Sequence, residues 1–109
     1  MNDSKPIDPP TFPEQQTELL LTGTAGRIEC IADVPEPDLA VSATAVLCHP
    51  HPQHGGTMRN KVVTIMERSL RESGLRTVRF NFRGAGDSEG EFGDGSGELA
   101  DLLSVVDWV

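Results

Sequence analysis

The sequence has few basic residues and no long apolar run, and each shortage excludes a class of function. Nine lysine and arginine residues stand against seventeen aspartate and glutamate residues, which gives a formal charge of −8. Nucleic acid and anionic membranes both require a basic face on the protein that binds them, so neither is an expected partner. No apolar run approaches the roughly 20 residues that span a bilayer.

Cysteine is also scarce, since Cys30 and Cys48 are too few for a disulfide framework. Both lie in apolar, strand-like segments, which predicts reduced and buried thiols. Residues 1–16 contain four prolines and no apolar stretch, so they are not expected to act as a signal peptide. Together these features predict a cytoplasmic protein.

The length of 109 residues is enough for one small domain. The prolines of residues 1–16 predict a flexible lead-in, and residues 17–109 are expected to form a single α/β domain. The predicted strands are Thr17–Leu21, Arg27–Val34, Ala43–Cys48 and Leu75–Phe82, and the predicted helices are Asn60–Ser73 and Gly97–Val109. This order indicates a leading β-hairpin followed by the β-α-β-α opening of a mostly parallel sheet.

Each predicted helix carries an apolar stripe that we expect to face the core. The stripes are Val62, Val63, Met66 and Leu70 in the first helix and Leu99, Leu102, Leu103 and Val106 in the second. Asn60 is the expected N-cap of the first helix, and Gly74 is expected to follow its last turn. The second helix runs into Trp108-Val109 without a stop signal, which predicts a chain truncated within a larger domain.

The strand at residues 75–82 has an unusual second face. Thr77, Arg79 and Asn81 share this face, while Val78, Phe80 and Phe82 share the other. A central parallel strand is normally apolar on both faces, so the polar face leaves the position of this strand in the sheet open.

The most distinctive segment is residues 48–56, with the sequence CHPHPQHGG, between a predicted buried strand and a predicted helix. Ligand sites in α/β sheets form at the carboxyl ends of strands. The two prolines stiffen the segment and lack N–H groups, and Gly55 and Gly56 allow a close backbone approach to a ligand. A rigid segment with an aimed N–H group is what an oxyanion hole requires.

Other interpretations of this segment remain open. Cys48, His49, His51 and His54 could bind a metal ion, although their spacing matches no standard zinc pattern. A histidine here could act as a general base, but no nucleophile is evident beside it. The segment could also be a structural turn with hydrogen-bonding surface histidines.

Residues 86–90, Gly-Asp-Ser-Glu-Gly, fit the G-x-S-x-G pattern of a nucleophile elbow, which makes Ser88 an alternative nucleophile. In an elbow the serine lies directly at a strand end and directly before a helix, and neither condition is met here. All three histidines also precede Ser88, against the order serine, acid, histidine. Local turn hydrogen bonds by Asp87 and Ser88 suit the pattern better. The same glycines fall one residue out of the G-x-G-x-x-G spacing, so no cofactor is expected.

Two segments resemble the signatures of small bacterial α/β-hydrolases akin to dienelactone hydrolases. The first is CHPHPQHGGTMRNKVV at residues 48–63, and the second is RFNFRGAGDSEG at residues 79–90. The final Val-Asp-Trp-Val resembles the next segment of that family, and the likeness covers most of residues 17–109. The resemblance implies the N-terminal half of an α/β-hydrolase fold, because family members are roughly twice as long.

The resemblance also implies a serine-type hydrolase for ester-like bonds of small molecules. The backbone N–H of His51 would be one oxyanion donor, and His49, Gly55 and Gly56 would shape the segment around it. The nucleophile, the acid and the catalytic histidine would follow Val109, so we expect an inactive chain with no metal site. The sequence leaves the oligomeric state open. A small binding module or a metal-binding protein is the alternative. The strand Ala43–Cys48 would keep an unpaired edge, which predicts marginal stability.

Overall fold

The computed structural model describes residues 5–39, 41, 43–49, 57–91, 93 and 95–109. Its elements are β1 (Thr17–Gly23), β2 (Gly26–Asp33), β3 (Thr44–Leu47), α1 (Lys61–Glu72), β4 (Arg76–Phe80) and α2 (Ser96–Trp108). The strands form one sheet in the order β1-β2-β4-β3. β3 runs parallel to β4, whereas β1 with β2 and β2 with β4 are antiparallel. The predicted α/β fold with a leading hairpin is confirmed, as a mixed four-stranded sheet.

The apolar core lies on one face of this sheet, beneath α2. Its buried members are Leu19, Leu21, Ile28, Cys30, Ala32, Val78, Phe80 and Val105. Burial raises the pKa of the Cys30 thiol to about 12, so the thiol stays protonated at neutral pH. The predicted burial of Cys48 is wrong, because β3 ends at Leu47 and Cys48 follows it in an exposed position.

The opposite face of β4 carries the polar side chains, and it packs against α1. Thr77 Oγ1 donates a 2.6 Å hydrogen bond to Glu67 of α1, and Arg79 Nη1 donates a 3.1 Å bond to the carbonyl of Met58. β4 is nevertheless a central strand, between β2 and β3. The polar face is compatible with this central position, because its side chains form hydrogen bonds with α1 and with the segment before it.

The ends of α1 match the sequence, and the predicted apolar stripes are buried only in part. Val63 is buried, and Leu70 and Leu102 are half-buried. Asn60 Oδ1 accepts a 2.8 Å bond from the Val62 N–H, which confirms the N-cap. In the two predicted stripes the following residues are exposed: Val62, Met66, Leu99, Leu103 and Val106. α2 instead turns Asp101 and Val105 inward. Asp101 fixes this rotation, because it accepts bonds from both the backbone N–H and the guanidinium of Arg83.

The N-terminal segment lies beside β1 and α2. Leu20 donates to the carbonyl of Pro6 at 2.9 Å and accepts from the Asp8 N–H at 2.8 Å. Trp108 Nε1 donates to the carbonyl of Pro9 at 2.8 Å, and its indole stacks on Phe12 with centroids 5.3 Å apart. The division of the chain at residue 16 stays a prediction. Within the described ranges, neither helix is long and apolar enough to cross a membrane.

Candidate functional site

The candidate site lies where the parallel strands β3 and β4 end next to each other. His49 comes two residues after the end of β3, and Asn81 and Phe82 directly follow β4. Because the two strands are paired in parallel register, the residues that follow them meet at one edge of the sheet. This edge is the usual place for a ligand site in an α/β sheet.

The His49 side chain is a buried anchor at this edge, with 7% of its surface exposed. Its Nε2 accepts a 2.9 Å hydrogen bond from the backbone N–H of Phe82. The imidazole also meets the Phe82 ring edge-on, with centroids 5.0 Å apart. A neutral imidazole that accepts through Nε2 carries its proton on Nδ1. This arrangement suits a structural histidine, since the Nε2 lone pair is already engaged.

Met58 forms a second anchor at the same edge. Its side chain is fully buried, and its backbone N–H donates a 2.7 Å bond to Asn81 Oδ1. Its carbonyl accepts from Arg79 Nη1. His49 and Met58 are thus both tied to residues 79–82, at the end of β4 and directly after it.

Glu29 of β2 is the centre of a buried polar cluster that supports Asn81. Glu29 Oε1 accepts from Asn81 Nδ2 at 2.7 Å and from the Asp87 N–H at 2.9 Å, and Oε2 accepts from Lys5 Nζ at 3.2 Å. Burial by itself raises the pKa of Glu29, but the bonds from Asp87, Asn81 and Lys5 outweigh it and hold the pKa below its ordinary value. The carboxylate is therefore ionised at neutral pH.

Ser88 belongs to the same cluster and has 6% of its surface exposed. Its Oγ donates a 2.6 Å bond to the carbonyl of Asn81 and accepts a 2.9 Å bond from the N–H of Glu29. No helix follows it directly, since α2 begins at Ser96. The hydroxyl fastens the glycine-rich loop to β2, and its proton points to a carbonyl oxygen.

A buried ion pair joins the same loop to α2. Arg83 Nη2 lies 3.0 Å from Asp101 Oδ1, and the Asp101 side chain is 1% exposed. The hydrogen bond to Asp101 raises the pKa of Arg83. Sequence reasoning missed this pair and the role of Glu29. The available signal was a glutamate flanked by Ile28 and Cys30 in an apolar strand, which requires a polar partner if it is buried.

Several predicted site residues lie outside the described part of the chain. They are His51, Gly55 and Gly56 of the proposed oxyanion segment and His54 of the alternative metal site. Among the residues that the structure describes, no three His, Cys, Asp or Glu side chains are grouped to hold a metal ion. The roles assigned to these residues, and the metal alternative, stay predictions.

Comparison with known proteins identifies relatives of this fold. No protein-family model matches the chain. An uncharacterised protein of Rickettsia prowazekii is 38% identical over 93 residues, which are 84% of this chain and 38% of that protein. A lidless α/β serine hydrolase from Xanthomonas campestris is 49% identical with a TM-score of 0.87, over 93% of this chain and 47% of the other.

An α/β serine hydrolase homologue from Coxiella burnetii is 45% identical with a TM-score of 0.84, over 91% of this chain and 47% of the other. The chain therefore spans about half the length of these two solved structures. Over that half it resembles α/β serine hydrolases in both sequence and fold.

Proposed function

We propose that this chain is part of a serine-type α/β-hydrolase that cleaves ester-like bonds of small molecules. The observation that carries the proposal is the 49% identity at a TM-score of 0.87 with an α/β serine hydrolase. In this proposal the chain supplies one oxyanion donor, the backbone N–H of His51, while the nucleophile, acid and catalytic histidine come from outside residues 1–109.

The position of the segment at the end of β3 supports this division of roles. In acyl transfer, a serine oxygen forms a bond to the substrate carbonyl carbon while its proton passes to a histidine. The carbonyl oxygen becomes an oxyanion, which preplaced N–H donors stabilise. The alcohol then leaves with the proton from histidine, and water hydrolyses the acyl-enzyme by the same route. The proposed donor follows the carboxyl end of β3 in the sequence, which is the end of a parallel strand where ligand sites form.

The geometry of Ser88 supports a nucleophile located elsewhere. A serine nucleophile needs an adjacent base that accepts its proton. The Ser88 proton is instead donated to the carbonyl oxygen of Asn81, and its lone pair accepts the Glu29 N–H. An attack by this oxygen would break both buried bonds.

The proposal is tested in a completed domain, made by joining residues 1–109 to the remaining half of the Xanthomonas campestris hydrolase. We expect this domain to hydrolyse p-nitrophenyl acetate. The substitution His51→Pro removes the proposed N–H donor, and removal of one oxyanion donor lowers kcat by about 10²- to 10³-fold. The matched control His51→Ala keeps the backbone N–H and is expected to keep most of the activity.

Two results would contradict the proposal. One is a folded completed domain that hydrolyses no ester. The other is an equal loss of kcat in His51→Pro and His51→Ala, which would assign the role to the side chain.

A further inference from the structure

We propose that Asn81 and Glu29 are positioning residues, which fix the backbone of Met58 at the C-terminal end of the proposed oxyanion segment. The donor role rests on the proposed function above. The anchoring itself rests on the hydrogen bonds of the described residues.

His49 and Met58, at the two ends of the segment, both form hydrogen bonds with residues 79–82. His49 accepts from the Phe82 N–H, and Met58, two residues before Asn60, the N-cap of α1, donates to Asn81 Oδ1. The side chain of Asn81 therefore fixes where the segment ends.

Glu29 determines the orientation of the Asn81 amide. The amide can accept the Met58 N–H only when Oδ1 faces Met58, and a flipped amide would set its NH₂ group against that donor. Glu29 Oε1 accepts from Nδ2 at 2.7 Å, so the carboxylate favours the productive orientation. An ionised acceptor makes this bond stronger than a neutral one would.

The buried polar cluster packs closely around the hydrogen bond between Glu29 and Asn81. Gly86 has φ of +50°, and a Cβ there would lie 2.7 Å from Glu29 Oε1 and against the Asn81 amide. Lys5 Nζ and the Asp87 N–H donate to the same carboxylate. An apolar residue would be easier to bury at this position of β2, so the carboxylate has another use. Orienting Asn81 is the use that its contacts indicate.

The experiment measures hydrogen exchange of the Met58 amide in the chain itself, relative to the Val78 amide at the centre of the sheet. The ratio removes effects of global stability. Asn81→Asp keeps an oxygen that could accept from Met58, but it replaces the Nδ2 donor by an oxygen that Glu29 repels. We expect this repulsion to displace the new carboxylate from Met58 and to raise the relative exchange of Met58 by roughly tenfold, as for the loss of one buried hydrogen bond. Adding Glu29→Gln restores a donor opposite the new acceptor and is expected to recover most of the protection.

The matched control is Thr77→Val, which removes another buried hydrogen bond from the same face of β4 but none to Met58. We expect it to leave the relative exchange of Met58 unchanged. The proposal is overturned if the Met58 amide is unprotected in the unmodified chain, or if Asn81→Asp has no more effect than Thr77→Val.

A kinetic measurement in the completed domain separates positioning from mere folding. After correction for the titrated amount of active sites, Asn81→Asp is expected to lower kcat with KM unchanged, and the Glu29→Gln addition to restore it. Unchanged kcat in Asn81→Asp would overturn the positioning role. If the unmodified completed domain is inactive while Met58 responds to Asn81 as expected, the proposed function fails and the anchoring stands.

Discussion

At the scale of single residues, Ser88 illustrates how a serine in a G-x-S-x-G sequence can be structural. Its hydroxyl joins two backbone groups, the Glu29 N–H and the Asn81 carbonyl, that lie on neighbouring strands or directly after them. Both bonds are buried, so the groups have no water to replace the hydroxyl. The main effect of the side chain is therefore on stability.

Replacement of Ser88 by alanine is expected to lower the free energy of unfolding by about 1 to 3 kcal/mol, because a buried donor and a buried acceptor lose their partner. Urea denaturation of the chain measures the change. Ser69→Ala, on an exposed position of α1, is the matched control and is expected to stay within about 0.5 kcal/mol. A Ser88→Ala protein as stable as the control would show that the hydroxyl bonds are not formed.

The sequence predicted the chemical character of these residues, but it did not predict which residues they bond to. Chain order and the missing helix already argued against Ser88 as an elbow serine. The bonds of Glu29 to Asn81 and Ser88 join residues 52 and 59 positions apart, so no local pattern could indicate them. His49 was expected only to shape the segment, and its bond to Phe82 depends on the pairing of β3 with β4.

At the scale of elements, α1 is fixed by its N-cap and by one buried carboxylate. Asn60 was predictable because capping is local and depends on residues two or three positions apart. Glu67 was not, because its partner Thr77 lies on β4. Hydrophobic periodicity also identified only part of the buried side of each helix, since it detects an apolar stripe but not which part of it another surface covers.

Replacement of the N-cap tests the local part of this description. Asn60→Ala is expected to lower stability by about 1 kcal/mol, because the Val62 N–H loses its acceptor. Asn60→Ser supplies another capping oxygen and is expected to stay near the unmodified chain. Thermal unfolding followed by circular dichroism compares the two, and equal losses would contradict a capping role.

The Glu67 carboxylate gives a pH dependence with a defined sign. Burial raises its pKa, but the hydrogen bonds from Arg71 and Thr77, with the nearby Arg79 charge, outweigh burial and hold the pKa below its ordinary value. The stabilisation is complete above the pKa of an unfolded glutamate, about 4.3, and is lost as the pH falls through the lower pKa of the folded state.

Glu67→Gln is therefore expected to be less stable than the unmodified chain at pH 7, with a difference that shrinks as the pH is lowered below about 4. Urea denaturation at both pH values measures the difference. Glu72→Gln, which loses only an exposed pair with Arg68, is the control and is expected to change little. A difference that does not vary with pH would contradict an ionised, bonded Glu67.

At the scale of the whole molecule, the most notable feature is apolar surface without cover in the described residues. The exposed apolar side chains of the helices are Val62, Ile65 and Met66 on α1 and Leu99, Leu103, Val106 and Val109 on or beside α2. β3 is also an edge strand of the described sheet. Exposed apolar faces beside an open strand edge favour association between chains.

A pair of substitutions on α2 separates exposed from buried apolar positions. Leu103 is 53% exposed and Val105 is fully buried, two residues apart on the same helix. Leu103→Glu is expected to leave stability within about 0.5 kcal/mol and to reduce association, because it adds charge to an apolar surface. Val105→Glu is expected to unfold the chain, since it buries an unpaired charge. Light scattering and circular dichroism measure the two effects, and unfolding by Leu103→Glu would contradict the described rotation of α2.

The fold class could be predicted from the order of elements, because a hairpin followed by β-α-β-α allows few topologies. The central position of the polar strand β4 could not, because it depends on partners in α1 that become adjacent only after folding. The relation to α/β serine hydrolases depends on whole segments such as residues 48–63 and 79–90. This relation is therefore less sensitive to errors in the interpretation of single residues.

The most direct test of the central claim is hydrolysis of p-nitrophenyl acetate by the purified chain, with Ser88→Ala measured beside it. If the nucleophile lies outside residues 1–109, neither protein shows turnover above buffer, and neither forms an adduct with a serine-reactive fluorophosphonate. Turnover by the chain that disappears in Ser88→Ala, with a fluorophosphonate adduct on Ser88, would contradict the central claim and make residues 86–90 the nucleophile loop.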